Sequence, residues 1–380
     1  MVSFDTAATI SLVFVLALVV FFNRHKLSFQ RFGIFYAAMY RTKAGISTMD
    51  KIAFRYKGFF EKATPWIIAL GFLGMIVVTF DLARGLIMLL TQASTPAVGV
   101  VLPVKAKGVF YVPFLYWILS IFVILIIHEG MHGVMARVYN LPVKNSGLVV
   151  LGAIIPIIPG AFVEPDEKKL VKAPQKQQLA VYAAGPVSNL VTGLLLLGLM
   201  TFAIVPYTDS FYSDKGIVVT NLMDGNPPAL QAGLQVGDMI TEIDGNDIAS
   251  TDDFSAAMEG KSPGDSVSIL TAGATYDVTL GKNPQTDKAW LGIYVDRALE
   301  NPSFWQLGVL WVKDFIFWLY LLSLGVGLFN LIPLGPIDGG RMFLTALERY
   351  THENRAARIW KSVSFVLLGI LITNVVLAFV

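Results

Sequence analysis

The sequence predicts a polytopic α-helical membrane protein, with about six transmembrane helices, a re-entrant β segment and an inserted, mostly-β domain. Three observations predict it. Of the 380 residues, 55% are hydrophobic and 15% charged, and the mean hydropathy is +0.63, too apolar for an ordinary soluble domain. Several apolar runs reach the roughly 20 residues that a helix needs to cross a bilayer. One long stretch, 206–299, breaks that pattern with fourteen acidic and five basic residues and many turn formers.

Residues 7–22 form the first apolar run. Nothing basic precedes it and no small-residue cleavage site follows, so an uncleaved span is expected rather than a signal sequence. Residues 23–63 carry nine Lys/Arg against two acidic residues, with Phe and Tyr interleaved, and are expected to form a basic cytoplasmic membrane surface. The second span covers about 65–91, with Asp81 and Arg84 interrupting its far end. The third covers about 112–138. Residues 146–162 are apolar and rich in β-branched residues, but Gly and Pro punctuate them. A re-entrant hairpin buried in protein suits them better than a spanning helix. The fourth, fifth and sixth spans cover about 179–205, 307–331 and 359–380.

These spans divide the chain into a first span with its basic segment (1–63), a first part of a membrane core (64–205), a soluble insert (206–299) and a second part of the core (300–380). In the insert, GIVVTNL, SVSILTA and YDVTL alternate as strands do. Basic stretches at 23–63, 164–178 and 335–358 place those loops in the cytoplasm. Six spans satisfy all three placements and put the N-terminus and the acidic insert outside. A seventh span at 82–98 would break that parity. A multi-pass protein of the plasma membrane follows, with the lipid bilayer as its surroundings and no nucleic-acid partner.

The chain has no cysteine, which excludes disulfides, thiolate metal sites and a cysteine nucleophile. Any metal must sit on His, Asp or Glu, and the only histidines are His25, His128, His132 and His352. In IIHEGMHGVMAR, His128 and His132 stand four residues apart, one helical turn, on one face. Two imidazoles so placed suit one Zn²⁺, and Glu129 beside them can take a proton from water. The preceding IFVILII puts these groups at membrane depth, where ionisable residues are costly and point to function.

A catalytic zinc needs a third protein ligand. Asp338, in NLIPLGPIDGGRM, is the best candidate. Pro333 and Pro336 break the helix that ends the fifth span, and Gly339 and Gly340 let the backbone approach a neighbour closely. In AAGPVSNLVTG, Gly185 and Pro186 are expected to open the fourth span. Asn189 then either packs helices or donates to a scissile carbonyl or oxyanion. Asn330 has the same two readings.

At these residues the chain resembles the site-2 protease family of intramembrane metalloproteases. The resemblance rests on HEGMH after an apolar run, on GPxxN at Gly185, Pro186 and Asn189, and on NxxPxxxxDG at Asn330, Pro333, Asp338 and Gly339. Ile337 departs from the family's usual Leu. The resemblance implies one Zn²⁺ per chain bound by His128, His132 and Asp338, with Glu129 as acid and base. It implies that Asn189 holds substrate or stabilises the oxyanion and that 146–162 pairs with an extended substrate strand. The substrates implied are single-span membrane proteins.

The insert resembles a PDZ domain. GIVV (216–219) is similar to a peptide-carboxylate loop with its strand, which makes Gly216, Ile217 and Val218 candidate peptide-binding residues, and PALQAGLQVGDMITEIDGNDI (228–248) is similar to the block that follows. Such a domain would bind a peptide C-terminus or screen bulky ectodomains. Two other functions use the same residues: a zinc transporter that binds its ion transiently, and an inactive scaffold.

Overall fold

Apolar runs free of turn-forming clusters fold as helices, and runs with alternating polarity fold as strands. The computed structural model describes residues 4–379 apart from 33–34, 92–98, 153–155, 214, 224, 284–285 and 300. The chain forms two units, Met1–Leu199 with Asp314–Val380, and Met200–Lys313.

The first unit begins with α1 (Phe4–Phe22), then β1 (Ser28–Phe32), β2 (Phe35–Thr42), α2 (Ile46–Arg55) and α3 (Lys57–Thr91). Two short parallel strands, β3 (Val100–Leu102) and β4 (Val109–Tyr111), precede α4 (Phe114–Val138). Then come β5 (Val143–Gly152), β6 (Pro156–Pro165), α5 (Glu167–Lys172) and α6 (Gln175–Leu199).

Five helices among the described residues are long and apolar enough to cross a membrane, at Lys57–Met88, Phe114–Val138, Gln175–Asp209, Phe304–Asn330 and Glu353–Leu377. The protein is a multi-pass membrane protein. The sixth expected span is α1, whose apolar part, Ala7–Phe22, is shorter. At ~1.5 Å per residue it covers about 24 Å, less than the ~30 Å of a hydrocarbon core. Asp81 and Arg84 do not interrupt α3, which runs on to Thr91. Both lie exposed on its surface. Of the alternative span at 82–98, residues 92–98 lie outside the described residues.

Residues 146–162 contribute to the β5–β6 hairpin as expected of their pattern; 153–155 lie outside the described residues. The basic 23–63 segment holds more structure than its composition disclosed. Its β1–β2 hairpin pairs with β5, from Tyr36 opposite Gly152 to Thr42 opposite Ser146, and completes a four-stranded antiparallel sheet, β1-β2-β5-β6. Ala37 and Ala38 are buried there. The charges serve the fold: Arg41 of β2 and Asn145 of β5 both donate to Glu164 of β6, at 3.3 and 3.0 Å, and Arg137 of α4 pairs with Asp50 of α2.

A π-helical turn (Met200–Ile204) and α7 (Val205–Asp209) lead into the second unit. Its strands are β7 (Ile217–Leu222), β8 (Met239–Ile243), β9 (Asn246–Asp247), β10 (Ser266–Thr271), β11 (Thr275–Thr279), β12 (Gly281–Lys282), β13 (Ala289–Trp290) and β14 (Ile293–Arg297). Helices α8 (Pro228–Gln231) and α9 (Thr251–Met258) accompany them. The main sheet runs β11-β10-β8-β7-β14. Alternation along β7 and β10 turns Ile217, Val219, Val267 and Ile269 inward, where they join Ile240 and Ile243 of β8 in one apolar core.

The strand β7 lies inside this sheet. Ile217 faces Ile240 of β8 on one side and Arg297 of β14 on the other, and its side chain is fully buried. The backbone of Ile217 and Val218 is therefore committed to the sheet. Gly216 is packed as tightly, because a Cβ there would lie 2.6 Å from the Ile240 carbonyl oxygen. Ile217 and Val218 thus lie in an interior strand of the sheet.

The chain then runs through α10 (Phe304–Asn330), α11 (Asp338–Tyr350) and α12 (Glu353–Phe379). In the first unit α3, α4, α6 and α11 pack around Met135, Ala180, Ala183, Leu331 and Met342.

Candidate metal centre

The two histidines come from α4, one turn apart, and both are buried. The carboxylate comes from the first residue of α11. Ile337 before it is extended, and the loop from Leu331 folds back beneath the helix start. Glycine makes that possible: a Cβ on Gly339 would lie 2.3 Å from the Leu331 carbonyl, and one on Gly340 would lie 2.3 Å from that of Gly335. The Gly335 N–H donates to Ser364 Oγ of α12 at 3.0 Å, tying the loop down.

Asp338 Oδ2 thereby lies 3.1 Å from His128 Nε2 and 3.3 Å from His132 Nε2, and the two Nε2 atoms are 3.2 Å apart. These three atoms are mutually close and face one point, as ligands of a single ion do. Ligands of one tetrahedral Zn²⁺, bound at ~2.0–2.1 Å, would be about 3.3 Å apart. The donor set therefore fits zinc in both chemistry and spacing. His132 Nδ1–H donates to the Val181 carbonyl oxygen at 2.7 Å, which leaves Nε2 its lone pair.

The helix α6 packs on this pair. It begins at Gln175, so Gly185 and Pro186 stand in its interior rather than at its start. Gly185 is there for space: a Cβ would sit 2.3 Å from His132 Nε2. Asn189, further along α6, is fully buried, with its side-chain amide 3.1 Å from His128 Nδ1. Asn330 ends α10 and lines the cavity, with its own amide donating to Val326 O at 2.9 Å.

Beside the ligands opens a mainly polar cavity of about 470 Å³. Glu129 faces it, and its Oε2 accepts the Val163 N–H of β6 at 2.9 Å. Tyr182, Arg41 and Arg341 complete its wall, with Arg341 lying over the Tyr182 ring and 3.6 Å from Glu167. An apolar groove of about 680 Å³, between the sheet, α2 and α4, meets the cavity at Glu129, Phe162 and Val163. His25 and His352 have no place in the cluster, which among the described residues is the one group of three able to hold a metal.

The structure brings His128, His132 and Asp338 together, and Glu129 lines the cavity beside them. The Val181 carbonyl escaped the sequence motifs, because a backbone oxygen has no sequence signature. So did the reason for Gly185, although a glycine inside an apolar helix was a signal of close approach.

The model of peptidase family M50 matches residues 116–372, from the start of α4 into α12. The chain belongs to peptidase family M50. The M50 match brackets every ligand and the second unit between them, and it places the protein among the site-2 metalloproteases. An uncharacterized protein of Methanocaldococcus jannaschii is 28% identical over 343 residues, covering 88% of this chain and 84% of that one. The zinc metalloprotease RasP of Shouchella clausii is 28% identical, over 51% of this chain and 58% of its own. The probable protease eep of Enterococcus faecalis is 22% identical, over 49% and 54%. The chain thus spans little more than half the length of these two M50 relatives. Among solved structures, the PDZ domain of an SdrC-like protein of Listeria monocytogenes is similar at 29% identity and a TM-score of 0.20, covering 21% of this chain and 87% of that one.

Proposed function

We propose that this protein is a zinc-dependent endopeptidase that hydrolyses peptide bonds within or near transmembrane segments of single-span membrane proteins. The observation that carries the proposal is the convergence of His128 Nε2, His132 Nε2 and Asp338 Oδ2 within 3.1–3.3 Å, with Glu129 facing the same cavity. His128, His132 and Asp338 would hold the zinc, one per chain. A zinc ion there supplies Lewis-acid polarisation and makes water a nucleophile near neutral pH. Glu129 takes the proton of the attacking water and returns it to the leaving amine. Asn330, on the cavity wall, contacts the substrate backbone. The apolar groove that meets the cavity at Glu129 suits substrate side chains drawn from a bilayer.

Membrane substrates must unwind before hydrolysis, since a helix hides its amides. The β5–β6 hairpin supports this step, acting as a re-entrant element whose strand replaces the lost helical hydrogen bonds. The basic loops favour a plasma-membrane orientation with the metal towards the cytoplasm and the inserted unit outside. We assign that unit, 206–299 by sequence, a PDZ-like role in binding a peptide C-terminus or screening ectodomains. The outer strands of its sheet are β11 and β14, of which β14 packs beside α9.

The test uses purified protein and a panel of single-span substrates. Glu129→Gln is expected to abolish cleavage while zinc stays near one per chain. Full cleavage by that variant removes the assigned chemistry, and zinc flux into proteoliposomes without cleavage of any substrate identifies a transporter instead.

A further inference from the structure

Asn189 is fully buried, and its Oδ1 has no hydrogen-bond partner. Its other amide atom, placed as Nδ2, lies 3.1 Å from His128 Nδ1. Which amide atom faces a neighbour is decided by the hydrogen-bond network, because oxygen and nitrogen exchange places on a half-turn of the side chain. The network here has a definite demand. His128 Nε2 points at His132 Nε2 and Asp338 Oδ2. If it gives its lone pair to a metal, the neutral ring carries its proton on Nδ1. That N–H needs an acceptor, and an amide NH₂ set against it is a donor facing a donor. At the amide's far end Oδ1 finds no donor, so nothing there holds the amide in that orientation and the contact with His128 decides.

We infer that Asn189 is a positioning residue for the metal site: its Oδ1 accepts the Nδ1–H of His128, fixing that ring's tautomer and orientation. The inference rests on the zinc reading above and differs from an oxyanion role, which would need the amide to donate into the cavity. Asn189 is not among the cavity-lining residues. Its place is held from the other side by α10. Ser323 Oγ donates to the Asn189 carbonyl oxygen at 2.8 Å, and Gly327 leaves only 3.2 Å between an added Cβ and Asn189 Cβ. The helix α6 then serves both ligands alike, with the Val181 carbonyl for His132 and the Asn189 amide oxygen for His128.

The two roles respond oppositely to substitution. Asn189→Asp keeps an acceptor for His128 and loses the donor an oxyanion would need. Asn189→Leu keeps the shape and loses both. Zinc affinity is measured by chelator competition on full-length protein in detergent, beside cleavage of a transmembrane substrate. Asn189→Leu is expected to bind zinc about 10–100-fold more weakly, the usual cost of losing a partner that orients a metal-bound histidine. Asn189→Asp is expected to bind within a few-fold of wild type and to cleave measurably. Wild-type zinc affinity in Asn189→Leu with cleavage lost overturns the inference and leaves the zinc site standing. Should the leucine variant not fold, the aspartate variant decides alone: zinc retained with cleavage abolished overturns the inference, and both retained supports it. Wild-type protein that binds no zinc removes the metal reading and this inference together.

Discussion

The two units build their interiors differently. The Met200–Lys313 unit has an interior of Ile, Val and Leu, as water-soluble sheets do, and its glycines lie mostly in turns. Gly237 and Gly260, for example, have φ of +100° and +80° and open space where a Cβ would stand. The other unit turns large apolar side chains outward: Ile76 is 66% exposed, Leu195 69% and Phe365 73%. Its helices meet over small residues, with added Cβ atoms at Gly74 and Gly193 lying 2.5 Å from Leu331 and 2.6 Å from Leu324. The hydrophobic effect assembles the first interior. Lipid removes that drive in the second, where close packing and hydrogen bonds must do the work. The lesson is where polarity can be kept. His128, His132 and Asn189 are buried in the unit whose interior is built by contact, and there each has a partner.

The sharpest way to break this comparison is to add a methyl group where the helices touch. Gly185→Ala places its Cβ on His132 Nε2, so zinc content should fall well below one per chain and cleavage by about a hundredfold or more. Gly130→Ala lies beside the same histidines but meets nothing within 4 Å, and it should keep its zinc. Equal zinc loss in both would mean that helix composition, and not the α4–α6 contact, governs the site.

A smaller effect separates the two interiors. Ile240→Ala removes a fully buried side chain from the second unit and should cost that unit about 2–5 kcal/mol, read by denaturant or thermal unfolding, with zinc unchanged. Leu195→Ala, on an outward face of α6, should shift unfolding in detergent by no more than about 0.5 kcal/mol. Equal losses would contradict the division into a water-built and a contact-built interior.

What was legible in the sequence follows the same line. Apolar runs of spanning length revealed the long helices, and period-2 alternation the strands at 217–222, 266–271 and 275–279. The HEGMH spacing showed two imidazoles on one face, and Pro333, Pro336, Gly339 and Gly340 marked where a carboxylate could be delivered. Pairings between distant segments were not legible. Tyr36–Thr42 pairs with Ser146–Gly152, about a hundred residues away, and its arginine and tyrosines concealed a strand inside a basic segment. Nor did the strand GIVV disclose that it lies between two others, since a buried strand and an edge strand share much of their pattern.

The smallest effect is electrostatic and is read in the second unit. Asp244 accepts from Lys261 Nζ at 2.5 Å and from the Ser268 N–H at 2.7 Å, and the lysine bond foremost holds its carboxyl below the usual carboxylate range. Asp253 is lowered likewise, first by the Ser250 hydroxyl at the start of α9. A carboxyl whose pKa is lower folded than unfolded binds fewer protons in the folded state. Its contribution is complete above the unfolded pKa and disappears as pH falls through the folded one. The unit should therefore hold constant stability from neutral pH down to the ordinary carboxylate range and weaken below it. Asp244→Asn should reduce part of that acid-side slope, by an amount limited by solvent screening at this exposed site. Lys261→Met removes the partner and should do the same. If both variants keep the wild-type acid profile, the Lys261–Asp244 pair adds nothing to it.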